Sequence, residues 1–347
     1  MLKFTDRNLT FALSSSIFKP VCKKYPSDFL LQKFNRTLMK HVILFLLMLC
    51  PLWAFAWQVN PEIPLLTKEF PAENIQVLSV QTTGISTNVN AWEENRVLVE
   101  VFAFRDNKPL DPEDSQLKKK LEAIRFDFRQ EGNRLILHVD SEKKSGLLSG
   151  KDNIILLIKV QGPKILDSSF LTEGGSITLS GLQGSQEIQS KGGSIRAIDC
   201  QGKLTAESSG GSIYVNKFQG EIGLNSVGGS VRIEQFSGVL QANSSGGSMS
   251  LVDISGKTIA KADGAAIRAN FIEPLEEISL SSKGGGIDMV LPKQLGMSIN
   301  FSGSIVVSQH LNFEGESKKS LVKGTINGGG IPITASTSGG NVKVDYY

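Results

Sequence analysis

The sequence predicts an all-β chain wound as a β-solenoid of about 18-residue coils, preceded by a β-rich N-terminal capping region. Two observations predict it. A Gly-Gly pair recurs at Gly174-Gly175, Gly192-Gly193, Gly210-Gly211, Gly228-Gly229 and Gly246-Gly247, each 18 residues after the last. Apolar residues keep a fixed phase to that pair. Three after the first glycine stand Ile177, Ile195, Ile213, Val231, Met249 and Ile267, and five after it Leu179, Ala197, Val215, Ile233, Leu251 and Ala269. Apolar residues two apart mark a half-buried strand, and a repeat this regular dictates the fold before any local signal.

Each unit reads as strand, turn, strand, turn. Eight after the first glycine comes another apolar column: Leu182, Cys200, Phe218, Phe236, Ile254 and Ile272. Ten after it comes a lone glycine (Gly184, Gly202, Gly220, Gly238, Gly256), replaced at the sixth copy by Pro274. Glycines fit corners where φ is positive or a Cβ would clash. One unit cannot bury its apolar stripe, whereas stacked units share a continuous core. With ~4.8 Å between strands, six coils span roughly 29 Å. A flexible Gly/Ser linker would not hold aliphatic residues at one phase. Calcium-binding nonapeptides need Gly-Gly-x-Gly-x-Asp, and Ile177 and Leu179 occupy those last two positions, so calcium is rejected.

The chain begins with segments that lie outside this architecture. Residues 1–38 show no sustained periodicity and read as a mis-called or disordered extension, with the true start expected at Met39. Residues 39–56 read as a secretory signal peptide: Lys40, an apolar run, then Ala54-Phe55-Ala56, with cleavage expected before Trp57. The alternative is an uncleaved membrane anchor, since about 17 apolar residues sit at the short limit for a span. Residues 1–56 hold eight of the 37 basic and two of the 34 acidic residues, so the chain after Ala56 carries −3 rather than +3. That removes the electrostatic case for nucleic acid. Of three cysteines only Cys200 follows the leader, so no intramolecular disulfide forms, and its column makes it a small buried hydrophobe.

Residues 57–67 read as an extended leader and 68–170 as the β-rich cap. Strand-like runs fall at 75–80, 85–89, 96–104, 124–128, 135–139 and 154–160, with a short helix or loop over 112–123. Val97, Val99 and Val101 alternate with Leu98, Glu100 and Phe102, as in a strand covered on both faces. The repeats occupy 171–291, and 292–347 forms irregular C-terminal coils, with a final aromatic strand expected to seal the last one.

This pattern resembles the bacterial putative adhesin domain family, secreted or envelope-anchored β-solenoids of largely unknown function. The residues that carry it are the Gly-Gly-Ser-Ile units from Gly174, the later lone glycines, Ile287-Asp288-Met289-Val290-Leu291-Pro292, and Ser338-Gly339-Gly340-Asn341-Val342-Lys343-Val344. It covers roughly 68–347 and implies architecture and an exported location, in the periplasm, at the cell surface or outside the cell. It implies no catalytic residues.

The search for chemistry gives one candidate face. His138 and His310 lack Cys or His neighbours at metal spacing, so no metal site or cofactor is expected. Ser176, Ser194, Ser212, Ser230 and Ser248 share a turn column and are expected to form a hydroxyl ladder that caps corner backbone. Four after the first glycine run Thr178, Arg196, Tyr214, Arg232, Ser250 and Arg268. Between two inward positions, this column faces out. Arg196, Arg232 and Arg268 with Tyr214 suit an anionic glycan or a protein edge; the plain alternative is a solvated strand face. A second charged column, Asp199, Lys217 and Asp253, carries the rival reading of a glycan lyase or hydrolase. The sequence thus points to a non-enzymatic envelope protein presenting a rigid surface for adhesion or scaffolding. Its partner would be an envelope protein or a surface glycan, with the membrane touched only through the leader. An envelope-stress or assembly accessory is the third reading.

Overall fold

The computed structural model describes residues 62–141, 154–307 and 312–347. The expected 1–38 extension and 39–56 signal segment, with Ala54, Ala56, Trp57 and His310, lie outside them. Asn60–Tyr347 forms one compact unit. Strand takes 71% of the described residues and helix 4%, so the class is all-β. Among the described residues 21 strands join one hydrogen-bonded sheet, within which one five-stranded barrel closes.

The N-terminal part is built of β1 (Leu66–Pro71), β2 (Val77–Thr82), β3 (Ser86–Trp92), β4 (Arg96–Arg105), the short β5 (Lys108–Pro109), helix α1 (Ser115–Leu121), β6 (Ile124–Glu131), β7 (Arg134–Ser141) and β8 (Ile154–Pro163). The end of the segment read as a leader therefore belongs to a strand, because β1 pairs antiparallel with β4. The 112–123 stretch is helical because Asp114 caps it, accepting from the amides of Gln116 and Leu117 at 2.9 Å. Leu117 is fully buried and Lys118, Lys119 and Lys120 sit at the negative end of the dipole. In β4, Val97, Val99 and Val101 are buried and Phe102 is buried on the opposite face.

The next strands are β9 (Asp167–Thr172), β10 (Ile177–Ser180), β11 (Gln183–Ser190), β12 (Ile195–Ser208), β13 (Ile213–Ser226), β14 (Val231–Ser244) and β15 (Met249–Ala262). From β12 to β15 every unit is one 14-residue strand, pairing in parallel so that each residue faces the one 18 further on. The expected mid-unit turn is a bend within this strand. Asp199, Lys217, Gln235 and Asp253 adopt φ of 54–55° there, the left-handed region. The charged column offered for lyase chemistry is thus the column that turns the strand. A non-glycine residue in this conformation costs about 1–2 kcal/mol, and the ladders on both flanks hold it.

The glycine pairs divide their work. A Cβ on Gly193, Gly211, Gly229 or Gly247 would lie 1.9–2.1 Å from the carbonyl oxygen of the corresponding glycine one coil earlier. A Cβ on Gly192 or Gly210 would meet nothing closer than 3.5 Å, and one on Gly228 or Gly246 would press a backbone oxygen at 3.2 or 3.0 Å, still far looser than at the second glycines. The hydroxyl ladder also exists, but on other serines. Ser190, Ser208, Ser226 and Ser244 donate to the carbonyls of Gly193, Gly211, Gly229 and Gly247 at 2.6–2.8 Å. These serines precede the glycine pair by two and alternate inward. Ser176, Ser194, Ser212, Ser230 and Ser248 follow it and alternate outward, where Ser248 donates to Ser230 at 3.4 Å. Strand alternation, not the repeat alone, assigns the capping role.

The C-terminal strands are β16 (Ile267–Ser282), β17 (Ile287–Leu291), β18 (Met297–Val307), β19 (Phe313–Lys318), β20 (Leu321–Ile326) and β21 (Ile331–Tyr346). Between β15 and β16 the register shifts: Ile254 faces Phe271, Gly256 faces Leu275 and Thr258 faces Ile278. So Phe271, not Ile272, fills the apolar column, and Leu275, not Pro274, lies opposite the glycine. Ile272 is 37% exposed.

The stacking order departs from chain order at both ends. β2 lies between β7 and β9, and β3 between β8 and β10, all parallel. β21 lies between β16–β17 on one side and β18 on the other. The terminal strand is therefore an inner rung and does not seal the stack. Antiparallel strands do that: β6 backs β7, β4 backs β8, and β20 backs β18 over Met297–Ser302, with β19 beyond it.

Candidate functional site

The column four after the glycine pair emerges as one line of paired residues: Thr178, Arg196, Tyr214, Arg232, Ser250, Arg268, Asp288, Lys343. Each lies between two buried residues of its strand, so strand alternation turns it outward. Arg196, Arg232 and Arg268 are exposed and Tyr214 is half-buried.

These residues are not equivalent. The Arg196 guanidinium lies 5.1 Å from the centre of the Tyr214 ring, a cation–π contact. The Tyr214 hydroxyl donates to Glu234 at 2.7 Å, Asn216 donates to the same carboxylate at 3.2 Å, and Arg232 Nε donates to its other oxygen at 2.7 Å. Glu234 stands two residues from Arg232 on the outward face of the adjacent column. Arg268 lies 3.7 Å from Asp288. One arginine is therefore stacked, one neutralised at hydrogen-bond distance and one loosely paired. The Tyr214 hydrogen bond, and then the Arg232 contact, hold the Glu234 carboxyl below its usual range. The same bond, with partial burial, pushes the Tyr214 phenol up.

Glu234 is the residue the sequence reading passed over. The signal was present: it sits six after the glycine pair in the copy that places Arg232 four after it. Only the cross-strand neighbour Tyr214, 20 residues away in sequence, shows that the two meet.

The other predicted positions are structural. The paired glycines line the corner where coils touch, and Asp199, Lys217 and Asp253 turn the strand. Cys200 is buried, and burial pushes its thiol up, away from the reactive thiolate. His138 lines a shallow hollow of about 200 Å³ near the N-terminal end with Asp127, Arg129, Ser79 and Gln81. Among the described residues no group of three or more His, Cys, Asp or Glu side chains is placed to hold a metal ion. Nor is any helix there long and apolar enough to cross a membrane.

Fold and face together define an all-β repeat protein whose outward side chains stand in straight, rigidly spaced columns. No family model and no curated protein matches the chain. Among solved structures, the chain is similar to a "putative cell adhesion protein" from Clostridium sporogenes, with 10% identity, a TM-score of 0.22, and coverage of 82% of this chain and 100% of that one. It is also similar to a "putative adhesin" from Bacteroides fragilis, with 13% identity, a TM-score of 0.39, and coverage of 80% and 96%. Both carry names of the kind the sequence resemblance implies. At these scores the likeness bears no weight in the argument below.

Proposed function

We propose that the chain is a non-enzymatic β-solenoid of the cell envelope that presents a rigid surface for adhesion or scaffolding. The observation that carries this reading is the 18-residue register of β12 to β15. It fixes outward side chains at one height per rung, about 4.8 Å apart, with both backbone edges of each strand already used. The backbone of such a surface is preorganised, so on this side a partner has only side chains to order. The column Arg196, Tyr214, Arg232 and Arg268, edged by Glu234, is the face we assign to an acidic partner, either a surface glycan or an envelope protein. Arg196 is its leading contact, because its guanidinium stacks on a ring and leaves its N–H edges for a carboxylate or sulfate. In this reading the 39–56 segment exports the chain to the periplasm, the cell surface or beyond.

A glycan array and an envelope-extract pull-down, each run with wild type and the Arg196→Ala/Arg232→Ala/Arg268→Ala variant, test this. Capture by the wild type alone, with the ligand intact, is the expected result. Shortened glycan chains after incubation would establish the glycan-acting lyase or hydrolase alternative instead. A stoichiometric envelope protein that both forms capture equally would favour an assembly accessory binding elsewhere. Protease shaving of intact cells, with mass spectrometry of the mature N-terminus, tests the location: a protected chain that retains 41–56 overturns a surface role.

A further inference from the structure

A second site lies on the other flank of the coils. In β13, Gly223 stands on the outward face between Thr205 of one rung and Gln241 of the next. The second glycine of each pair, and the lone glycine nine after it, are needed because a Cβ would strike backbone. Gly223 has no such reason. Its φ is outside the left-handed region, and a Cβ there would meet nothing within 4 Å. A strand glycine weakens the strand, and it often marks a place where another molecule approaches the backbone.

Beside this notch runs a groove. Two residues on, Asn225 continues the column Leu171, Gln189, Glu207. That column and the corner residues next to it enclose about 330 Å³. The groove crosses four rungs, roughly 14 Å. Its ends are apolar, with Leu171 42% and Val227 59% exposed. Between them Gln189 offers an amide that both donates and accepts, while Asn225, whose Oδ1 already accepts from Asn243 at 2.9 Å, offers its N–H groups and a remaining lone pair. The groove's lysine, Lys191, is held by Glu173 at 2.6 Å, and among the described residues Glu207 has no cation partner. An anion is therefore disfavoured here. A peptide strand cannot add either, since the backbone groups already pair with the neighbouring rungs. A chain of hydroxyls, each donor and acceptor, on flat rings fits what remains.

We propose that this groove and the Gly223 notch bind an uncharged linear oligosaccharide lying along the stack, one ring resting on the bare backbone at Gly223. This rests on the reading of the chain as a binding surface, but places the neutral ligand on a face apart from the arginines. The test is calorimetric titration of the full chain with neutral β-1,4-linked tetrasaccharides, chitotetraose and cellotetraose. It uses wild type, Gly223→Thr, Asn225→Ala and the triple arginine variant. Gly223→Thr is expected to raise the unfolding midpoint while weakening binding roughly tenfold. Asn225→Ala also weakens binding, and the arginine variant binds as wild type does. Unchanged affinity in Gly223→Thr overturns the proposal, as does wild type that binds neither sugar. Binding lost only with the arginines overturns this groove while leaving the adhesion reading intact. A chain that captures no surface ligand on either face removes both.

Discussion

Gly210 and Gly211 are chain neighbours with different duties. A Cβ on Gly211 would sit 2.1 Å from the Gly193 oxygen, against 3.5 Å for the nearest atom to one on Gly210. The Gly211 neighbour is backbone locked in the ladder, so the rung must shift. Gly211→Ala is expected to cost about 3 kcal/mol or more and Gly210→Ala under about 1 kcal/mol, measured by urea denaturation. Equal losses would show that the corner relaxes freely. The face residues predict a pH response. Glu234 has a depressed folded value, so its contribution is present above the ordinary carboxylate range and is lost as pH falls through the lowered one. Tyr214 is raised, so its contribution is present below the ordinary phenol range and lost as pH rises through the raised one. Burial pushes the Tyr346 phenol up to about 12, so it too favours the fold below the ordinary phenol range. Unfolding midpoints measured across pH should fall at both extremes. Tyr214→Phe should flatten part of each arm, since one hydrogen bond links both groups. A profile identical to wild type would remove that bond from the account.

Individual strands show where period and register part company. A strict 18-residue count places Ile272 in the core, but the bulge in β16 turns Phe271 inward, fully buried, and leaves Ile272 37% exposed. Phe271→Ala is therefore expected to cost about 3–5 kcal/mol, while Ile272→Thr stays within about 0.5 kcal/mol. The reverse order in thermal unfolding would restore the unbroken count. In-register parallel strands also bring like positions together, where identical charges would repel. The sequence alternates them instead: Glu173 with Lys191 at 2.6 Å, Lys257 with Glu277 at 2.8 Å, Asp263 with Lys283 at 2.8 Å. Exposed pairs of this kind are each worth about 0–1 kcal/mol.

At the scale of the whole molecule, the end rungs decide whether the stack stays single. A parallel ladder leaves unpaired N–H and C=O groups at its ends, a template for further strands. Here antiparallel strands cover them: β6 and β4 at one end, β20 and β19 at the other. β19 is outermost, exposed along most of its length, and carries Glu314, Glu316 and Lys318. Removing Phe313–Ile326 and joining the flanks with a Gly-Ser linker is expected to bare the β18 edge and produce concentration-dependent association. Light scattering detects it. A chain that remains monomeric without the hairpin would show that the inner rungs resist edge pairing by themselves.

The sequence by itself determined the all-β class, the pairing of each residue with the one 18 later through β12 to β15, the buried columns, and the outward line of Arg196, Tyr214, Arg232 and Arg268. Those features depend on alternation and period, which are local and repeat along the chain. Tertiary structure alone decided which glycine of each pair is sterically required, because the clash is with the coil before it. It alone brought Tyr214 to Glu234. It alone placed β21 inside the stack and β2–β3 between later strands, since no local pattern records which rung a non-repeating strand joins. The exchange of hydrogen bonds between distant segments settles that.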